Sequence, residues 1–210
     1  MNNLKLKVCG MKYAANIAAV ASLQPDYLGF IFYEPSPRFI SDVSAELIKY
    51  IPEEIKTVGV FVNEDLEEVK KKVQLHQLKA VQLHGSETPE YAKELKNNFN
   101  GLEVIKAFGI NEDFDFGILE LYTSVVDFFL FDTKTKAHGG SGQTFDWKIL
   151  EAYKLDKPYF LSGGIDLEHI EEIIKIADPH LRALDINSRF EVEPGVKDVE
   201  KIKQFIKIFS

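Results

Sequence analysis

Thr57-Val58-Gly59-Val60-Phe61-Val62, then Asp65 to Leu75, then Ala80-Val81-Gln82-Leu83-His84-Gly85 read in turn as strand, helix and strand. The two apolar runs lack strict alternation, as strands covered on both faces do. Between them Leu66, Val69 and Val73 share one helical face, with Lys70-Lys71-Lys72 at polar positions. The same alternation extends in both directions. The strand candidates are Leu6–Gly10, Tyr27–Phe32, Thr57–Val62, Ala80–Gly85, Glu103–Gly109, Phe128–Thr133, Pro158–Gly164 and Arg182–Ser188. Ile170, Ile173 and Ile174 mark a helix over Leu167–Ile176, and Val199, Ile202, Phe205, Ile206 and Phe209 mark another over Asp198–Phe209. Thr88-Pro89 and Asp146-Trp147 read as N-cap starts. Ser44–Tyr50 and the Gly117-containing Phe114–Tyr122 supply the second and fifth helices. Alternation of this kind implies a parallel sheet. Eight units in 210 residues, roughly 26 each, predict an α/β chain folded as one (β/α)8 TIM barrel, a single compact domain over residues 1–210. An open doubly wound sheet is the alternative.

Composition narrows the partners. A net charge of −8 argues against a broad nucleic-acid footprint, which needs a basic face. It leaves room for an anionic small molecule held by backbone N–H groups and a few local cations. One cysteine forms no internal disulfide, which fits a reducing compartment, the cytoplasm. Met1 to Lys7 lacks the apolar core of a signal peptide, and no stretch is long and apolar enough to span a membrane. The five histidines show no ligand spacing with Cys9 or each other, so no metal site is expected. Neither a GxGxxG nor a Walker motif occurs. Phe114, Phe116 and Tyr122 form either an interface between copies or a plain helix face, which leaves the oligomeric state open.

In such barrels the chemistry sits where strands run into the following loops. Those ends read Cys9-Gly10, Glu34-Pro35-Ser36-Pro37-Arg38, Asn63, His84-Gly85, Gly109, Asp132-Thr133, Ser162-Gly163-Gly164 and Asp185 to Ser188. Cys9 shares a strand face with Lys7, and a cationic neighbour favours the thiolate. The plainer reading of Cys9 is a small buried hydrophobe. Asp132 ends the run Phe128-Phe129-Leu130-Phe131, a partly desolvated place that suits a general acid. Its alternative is a loop cap or a partner of Lys134 or Lys136. Gly163 and Gly164 precede a helix and offer N–H groups to a phosphate, with Asn187, Ser188, Pro194 and Gly195 able to complete the site. Arg38, stiffened by two prolines, suits a carboxylate or phosphate. His84 shares its face with Gln82 and reads as a supporting histidine. His138 to Thr144 reads as a lid or a solvated linker.

Together these segments resemble the phosphoribosylanthranilate isomerase family of tryptophan biosynthesis. The resemblance rests on Lys7-Val8-Cys9-Gly10, Gly29-Phe30-Ile31-Phe32 with Ser36-Pro37-Arg38, Val58 to Asn63, Val81 to Gly85, Phe131-Asp132-Thr133 through Gly139-Gly140-Ser141-Gly142 to Phe145-Asp146-Trp147, Leu161 to Ile165, and Asp185 to Ser188 with Glu191 and Pro194 to Asp198. It runs the length of the chain in order. It implies a (β/α)8 barrel and an Amadori rearrangement of N-(5-phosphoribosyl)anthranilate, a phosphorylated small molecule, without a cofactor. It further implies Cys9 as general base, Asp132 as general acid, Arg38 at the anthranilate carboxylate and Asp185 at the anthranilate nitrogen. The phosphate would sit on Gly163, Gly164, Asn187 and Ser188. Arg189 stands where the family carries glycine, and either adds a cation near the phosphate or points to solvent. The aminoaldose isomerase of histidine biosynthesis uses an Asp on strand one, which Cys9 disfavours. Pentose-phosphate epimerases need metal-binding His and Asp that are missing from the strands. A non-catalytic anion-binding barrel would not need Cys9 and Asp132 together.

Overall fold

The expected strands form and close in sequence order into a parallel barrel: β1 Lys5–Val8, β2 Tyr27–Ile31, β3 Lys56–Phe61, β4 Ala80–Leu83, β5 Glu103–Ile110, β6 Phe128–Thr133, β7 Tyr159–Leu161 and β8 Leu181–Ile186. The structure is a computed structural model and describes residues 4–43, 45–133, 146–176 and 178–209. The loop from His138 to Thr144, with Lys134 and Lys136, lies outside the described residues.

Register decides which side chains face inward. Lys7 stands opposite Tyr27 and Asp185, Val60 opposite Gln82, Gly109 opposite Asp132, and Phe160 opposite Ala183. Paired residues on parallel neighbours point to the same face, so one parity lines the interior all round. Its lower layers are apolar: Tyr27, Val58, Ala80, Ile105, Ala107, Leu130, Phe160 and Ala183 pack as a separate cluster inside the barrel. Tyr27 and Phe160 meet edge to face with ring centres 5.2 Å apart. The opposite parity joins the larger core between sheet and helices. The apolar layers therefore floor a cavity that opens at the C-terminal rim.

The helices are α1 Ala14–Ala21, α2 Ala45–Ile48, α3 Leu66–Leu75, α4 Pro89–Asn98, α5 Ile170–Lys175 and α6 Val199–Phe209. Asp65 caps α3 by accepting from Glu67 and Glu68 N–H, and Thr88 caps α4 ahead of Pro89. Three expected helices differ. Phe116–Tyr122 and Trp147–Ala152 are 3-10 helices, and Leu167–Ile176 divides into a 3-10 turn over Leu167–His169 followed by α5. Each begins at an aspartate cap: Asp115, Asp146 and Asp166 accept from Gly117, Lys148 and Leu167 N–H. Phe114, Phe116 and Tyr122 do not form an open face. Phe108 meets Phe114 and Tyr122 with ring centres 6.0 and 5.5 Å apart, and Phe116 lies 5.0 Å from Phe114.

Pro194-Gly195 makes a turn that pattern reading did not develop into an element. It joins β9 Glu191–Glu193 to β10 Val196–Lys197, an antiparallel hairpin with Gly195 at φ +87°. The hairpin sets Glu191 and Lys197 against the mouth of the barrel.

Candidate active site

Cys9, Arg38, Asp132, Gly163, Gly164, Asp185, Asn187 and Ser188 all line one cavity at the C-terminal rim. Their convergence follows from strand parity. Cys9 continues the inward face of Lys7 on β1, and Asn187 continues that of Asp185 on β8. Asp132 lies on the inward face of β6, in line with Gly109. Cys9, Asp132, Asp185 and Arg38 are all buried, at 4 to 8 % exposure.

Lys7 is fully buried and donates to Asp185 Oδ2 at 2.7 Å. Burial opposes its ammonium, but Asp185 and Cys9 together hold its pKa above the usual lysine value. Burial pushes the Cys9 thiol up, and Lys7 is the strongest influence in the opposite direction, with Lys197 a further one. The Cys9 pKa stays above the ordinary thiol value, and the ammonium of Lys7, which shares its face, is the main influence toward the thiolate. Gly29 makes room for it, since a Cβ there would stand 2.8 Å from Cys9 Sγ.

Asp132 is held from two sides. Its Oδ1 accepts the Thr133 N–H at 2.8 Å, and its Oδ2 lies 3.5 Å from His84 Nε2. Gln82 Nε2 lies 2.8 Å from His84 Nδ1. With the amide as donor, Nδ1 accepts and the ring proton resides on Nε2, facing Asp132. Gln82 Oε1 and Asp185 Oδ1 are buried without a hydrogen-bond partner among the described residues. Orphaned buried acceptors are costly, and both groups face the cavity, where a ligand's N–H or O–H would satisfy them.

Gly163 and Gly164 end β7 at Leu161 because both adopt left-handed backbone, at φ +88° and +65°. A Cβ on Gly163 would lie 2.3 Å from Thr133 Oγ1 and 3.0 Å from Asp132 Oδ1. The glycine turn is therefore pressed against the loop that carries Asp132. The segment after it starts as a three-residue 3-10 turn. This corrects the expected full helix, so an anion here would meet local N–H groups and not a long helix dipole. Arg189 is exposed, lines the cavity beside these glycines and lacks the positive φ that would demand glycine.

Arg38 reaches the cavity already paired. Its Nε lies 2.9 and 3.0 Å from the two Glu191 oxygens, and its Nη2 lies 2.6 Å from Oε2. Among the described residues Nη1 has no acceptor. Lys197 Nζ donates to the same carboxylate at 2.6 Å and to Asn187 Oδ1 at 2.7 Å. Burial works against the Glu191 carboxylate, yet Arg38 and Lys197 hold its pKa below the usual range. Glu191 and Lys197 are site residues that sequence reading named without a role. The Pro-Gly turn between them was the available signal. Among the described residues no group of His, Cys, Asp and Glu is arranged to hold a metal ion, and no helix is long and apolar enough to cross a membrane.

A buried thiol with cationic neighbours, a carboxyl across the same mouth and a glycine turn beside it make an arrangement for moving protons on an anionic small molecule. Comparison with known proteins agrees. A family model described as N-(5'-phosphoribosyl)anthranilate (PRA) isomerase matches residues 6–208. The chain is 44 % identical over 204 residues to the N-(5'-phosphoribosyl)anthranilate isomerase of Parabacteroides distasonis, covering 96 % of this chain and 91 % of that protein. It is similar to the crystal structure of phosphoribosyl anthranilate isomerase from Thermotoga maritima, with a TM-score of 0.83, 36 % identity and 97 % of each chain covered. A structure of phosphoribosyl anthranilate isomerase in complex with reduced 1-(o-carboxyphenylamino)-1-deoxyribulose 5-phosphate matches with a TM-score of 0.80, 32 % identity and 97 % of each chain covered.

Proposed function

The chain belongs to the N-(5'-phosphoribosyl)anthranilate isomerase family, and from that premise we propose that it catalyses the family's isomerisation with Cys9 as general base and Asp132 as general acid. The substrate is N-(5-phosphoribosyl)anthranilate and the product 1-(2-carboxyphenylamino)-1-deoxyribulose 5-phosphate, a step of tryptophan biosynthesis. The observation that carries the reading is the placement of the lone thiol and the β6 carboxyl on one buried cavity, each with its own supporting group, Lys7 and His84.

Asp132 gives its proton to the furanose ring oxygen, and the C1–O bond opens to an imine. Cys9, as thiolate, removes the C2 proton, and the electron pair moves to give an enolamine. Tautomerisation returns a proton and yields the aminoketose. One group gives a proton and the other takes one, so their surroundings must favour opposite protonation states. The rearrangement redistributes protons within one molecule and calls for no cofactor.

Binding follows from the remaining groups. Asp185 Oδ1, the orphaned acceptor, takes the anthranilate N–H. Arg38 Nη1 donates to the anthranilate carboxylate while Glu191 fixes the guanidinium plane. The phosphate lies on N–H groups of Gly163, Gly164, Asn187 and Ser188, with Arg189 adding a cation at the rim. Residues 1–210 act as one catalytic domain in the cytoplasm. The test is direct. Purified protein added to phosphoribosylanthranilate abolishes the substrate's fluorescence at a rate proportional to enzyme. A signal that decays only at the rate of the enzyme-free control refutes the function.

A further inference from the structure

The mechanism leaves a buried lysine at the barrel mouth without a task. Lys197 ends β10 and its side chain has no exposed surface. Its Nζ is held by Asn187 Oδ1 and Glu191 Oε1. Asn187 follows Ile186, whose carbonyl accepts the Cys9 N–H at 2.9 Å. Asn187 Oδ1 also lies 2.8 Å from where a Cβ on Gly10 would stand. The ammonium group is therefore fixed beside the Cys9-Gly10 turn.

Charged groups gather around Cys9 from several elements of the mouth, and the exposed Arg189 lies at its rim. Lys7 on β1, Arg38 after β2 and Lys197 on β10 are cationic. Asp185 on β8, Glu191 on β9 and Asp132 on β6 are acidic, and His84 follows β4. Lys7 pairs with Asp185, and Arg38 pairs with Glu191. Glu191 also meets Lys197, so three buried cations share two carboxylates and one positive charge is left for Asp132 or Cys9 to balance. A buried set carries net charge only at high cost. With Lys197 charged, the set is neutral when one member of the Cys9–Asp132 pair is ionised and the other protonated. The reaction starts with a thiolate and a carboxylic acid. After C2 deprotonation it holds a thiol and a carboxylate. The net charge is the same at both points.

We propose that Lys197 is a positioning residue for catalysis, the counter-ion that keeps a single proton on the Cys9–Asp132 pair and so makes the thiolate available. The proposal rests on the roles assigned above to those two residues. Lys7, Cys9, Asp185 and Lys197 act on one another and titrate as a set. Burial lowers Lys197 to about 8, against the pull of Glu191 and Cys9, so the group stays mostly charged at neutral pH. Without its charge, the neutral state of the set has both Cys9 and Asp132 protonated, and no base remains.

The experiment compares Lys197→Met, Lys197→Gln and Lys197→Arg with the natural chain. Removing a nearby cation moves the rising limb of kcat against pH upward by about one unit and lowers kcat at neutral pH about tenfold. The glutamine variant keeps a donor for Asn187 and Glu191, so it answers the question if the methionine variant does not fold. The arginine variant restores the limb. Cys9 is the sole cysteine, so the ultraviolet thiolate signal, taken as the difference from Cys9→Ser, reports it alone. Its midpoint rises with the kinetic limb. A limb and a thiolate midpoint that stay in place in Lys197→Gln overturn the proposal. Undiminished turnover in Cys9→Ser overturns the base assignment instead, and the thiolate titration still reads the coupling.

Discussion

Replacing Gly163 by alanine tests whether the glycine turn and the general acid form one mechanical unit. Gly163 sits at φ +88°, where a side chain costs about 1–3 kcal/mol. For a chain of this size each kcal/mol lowers Tm by about 2–4 °C. The second effect is specific to the place. The added methyl would stand 2.3 Å from Thr133 Oγ1, 2.7 Å from Thr133 N and 3.0 Å from Asp132 Oδ1. Thr133 N is backbone and cannot swing aside as the two side-chain oxygens can, so β6 and the glycine turn must separate by about 1 Å to reach ordinary contact. Misplacing a reacting group by that much costs about 100-fold in rate. Gly101 supplies the control. It has φ +82°, and a Cβ there meets nothing within 4 Å. Gly101→Ala thus carries the backbone strain without the clash. Thermal melts and steady-state turnover of both variants separate the two effects. Both lose several degrees, and only Gly163→Ala loses about two orders of magnitude in kcat. A Gly163→Ala enzyme with normal kcat refutes the reasoning, as does an equal loss in Gly101→Ala.

Four further outcomes follow from particular contacts. Arg38→Ala raises KM for the substrate more than it lowers kcat, because it removes the anthranilate-carboxylate donor, and an unchanged KM removes Arg38 from the site. Glu191→Gln weakens the hold on the guanidinium and gives a smaller KM rise of the same kind, measured in the same assay. Lys106 Nζ donates to Gly85 O and Glu87 Oε2, while Glu87 also accepts from Asn63 and Gly85 N–H. Lys106→Met leaves that buried carboxylate unpaired and lowers stability by about 3–5 kcal/mol in urea titrations. For pH, Lys197 is lowered in the folded chain to about 8 from the ordinary 10.5, so between those values the unfolded chain binds the extra proton. Unfolding free energy of the natural chain therefore rises with pH across that window relative to Lys197→Gln, and parallel curves would contradict the assignment.

The barrel and most of the site were legible because both follow from strand periodicity. Lys7 with Cys9, and Gln82 with His84, share a face two residues apart, and closure of the sheet brings those faces together. What stayed hidden was pairing across distance in the chain. Arg38 meets Glu191 across 153 positions, and Lys7 meets Asp185 across 178. No local pattern encodes such a pair before the register and the β9–β10 hairpin are fixed. Arg38 alone looks like a free anion receptor, and its bidentate lock on Glu191 appears only in the fold. The 3-10 segments were misread for the opposite reason. Apolar spacing over Phe114–Tyr122 and Leu167–Ile176 fits a helix, and spacing alone does not separate a 3-10 turn from an α-helix over so few residues. Arg189 stands where the family carries glycine, and the backbone there does not need one.

The central claim is that one thiol and one carboxyl divide the proton transfers. It is tested most directly by turnover of phosphoribosylanthranilate in Cys9→Ser and Asp132→Asn, with folding checked by thermal melts. The account predicts that each variant melts as a folded protein and loses about 10²–10⁴-fold in kcat, the range of a general acid or base. Near-normal kcat in either folded variant would contradict it.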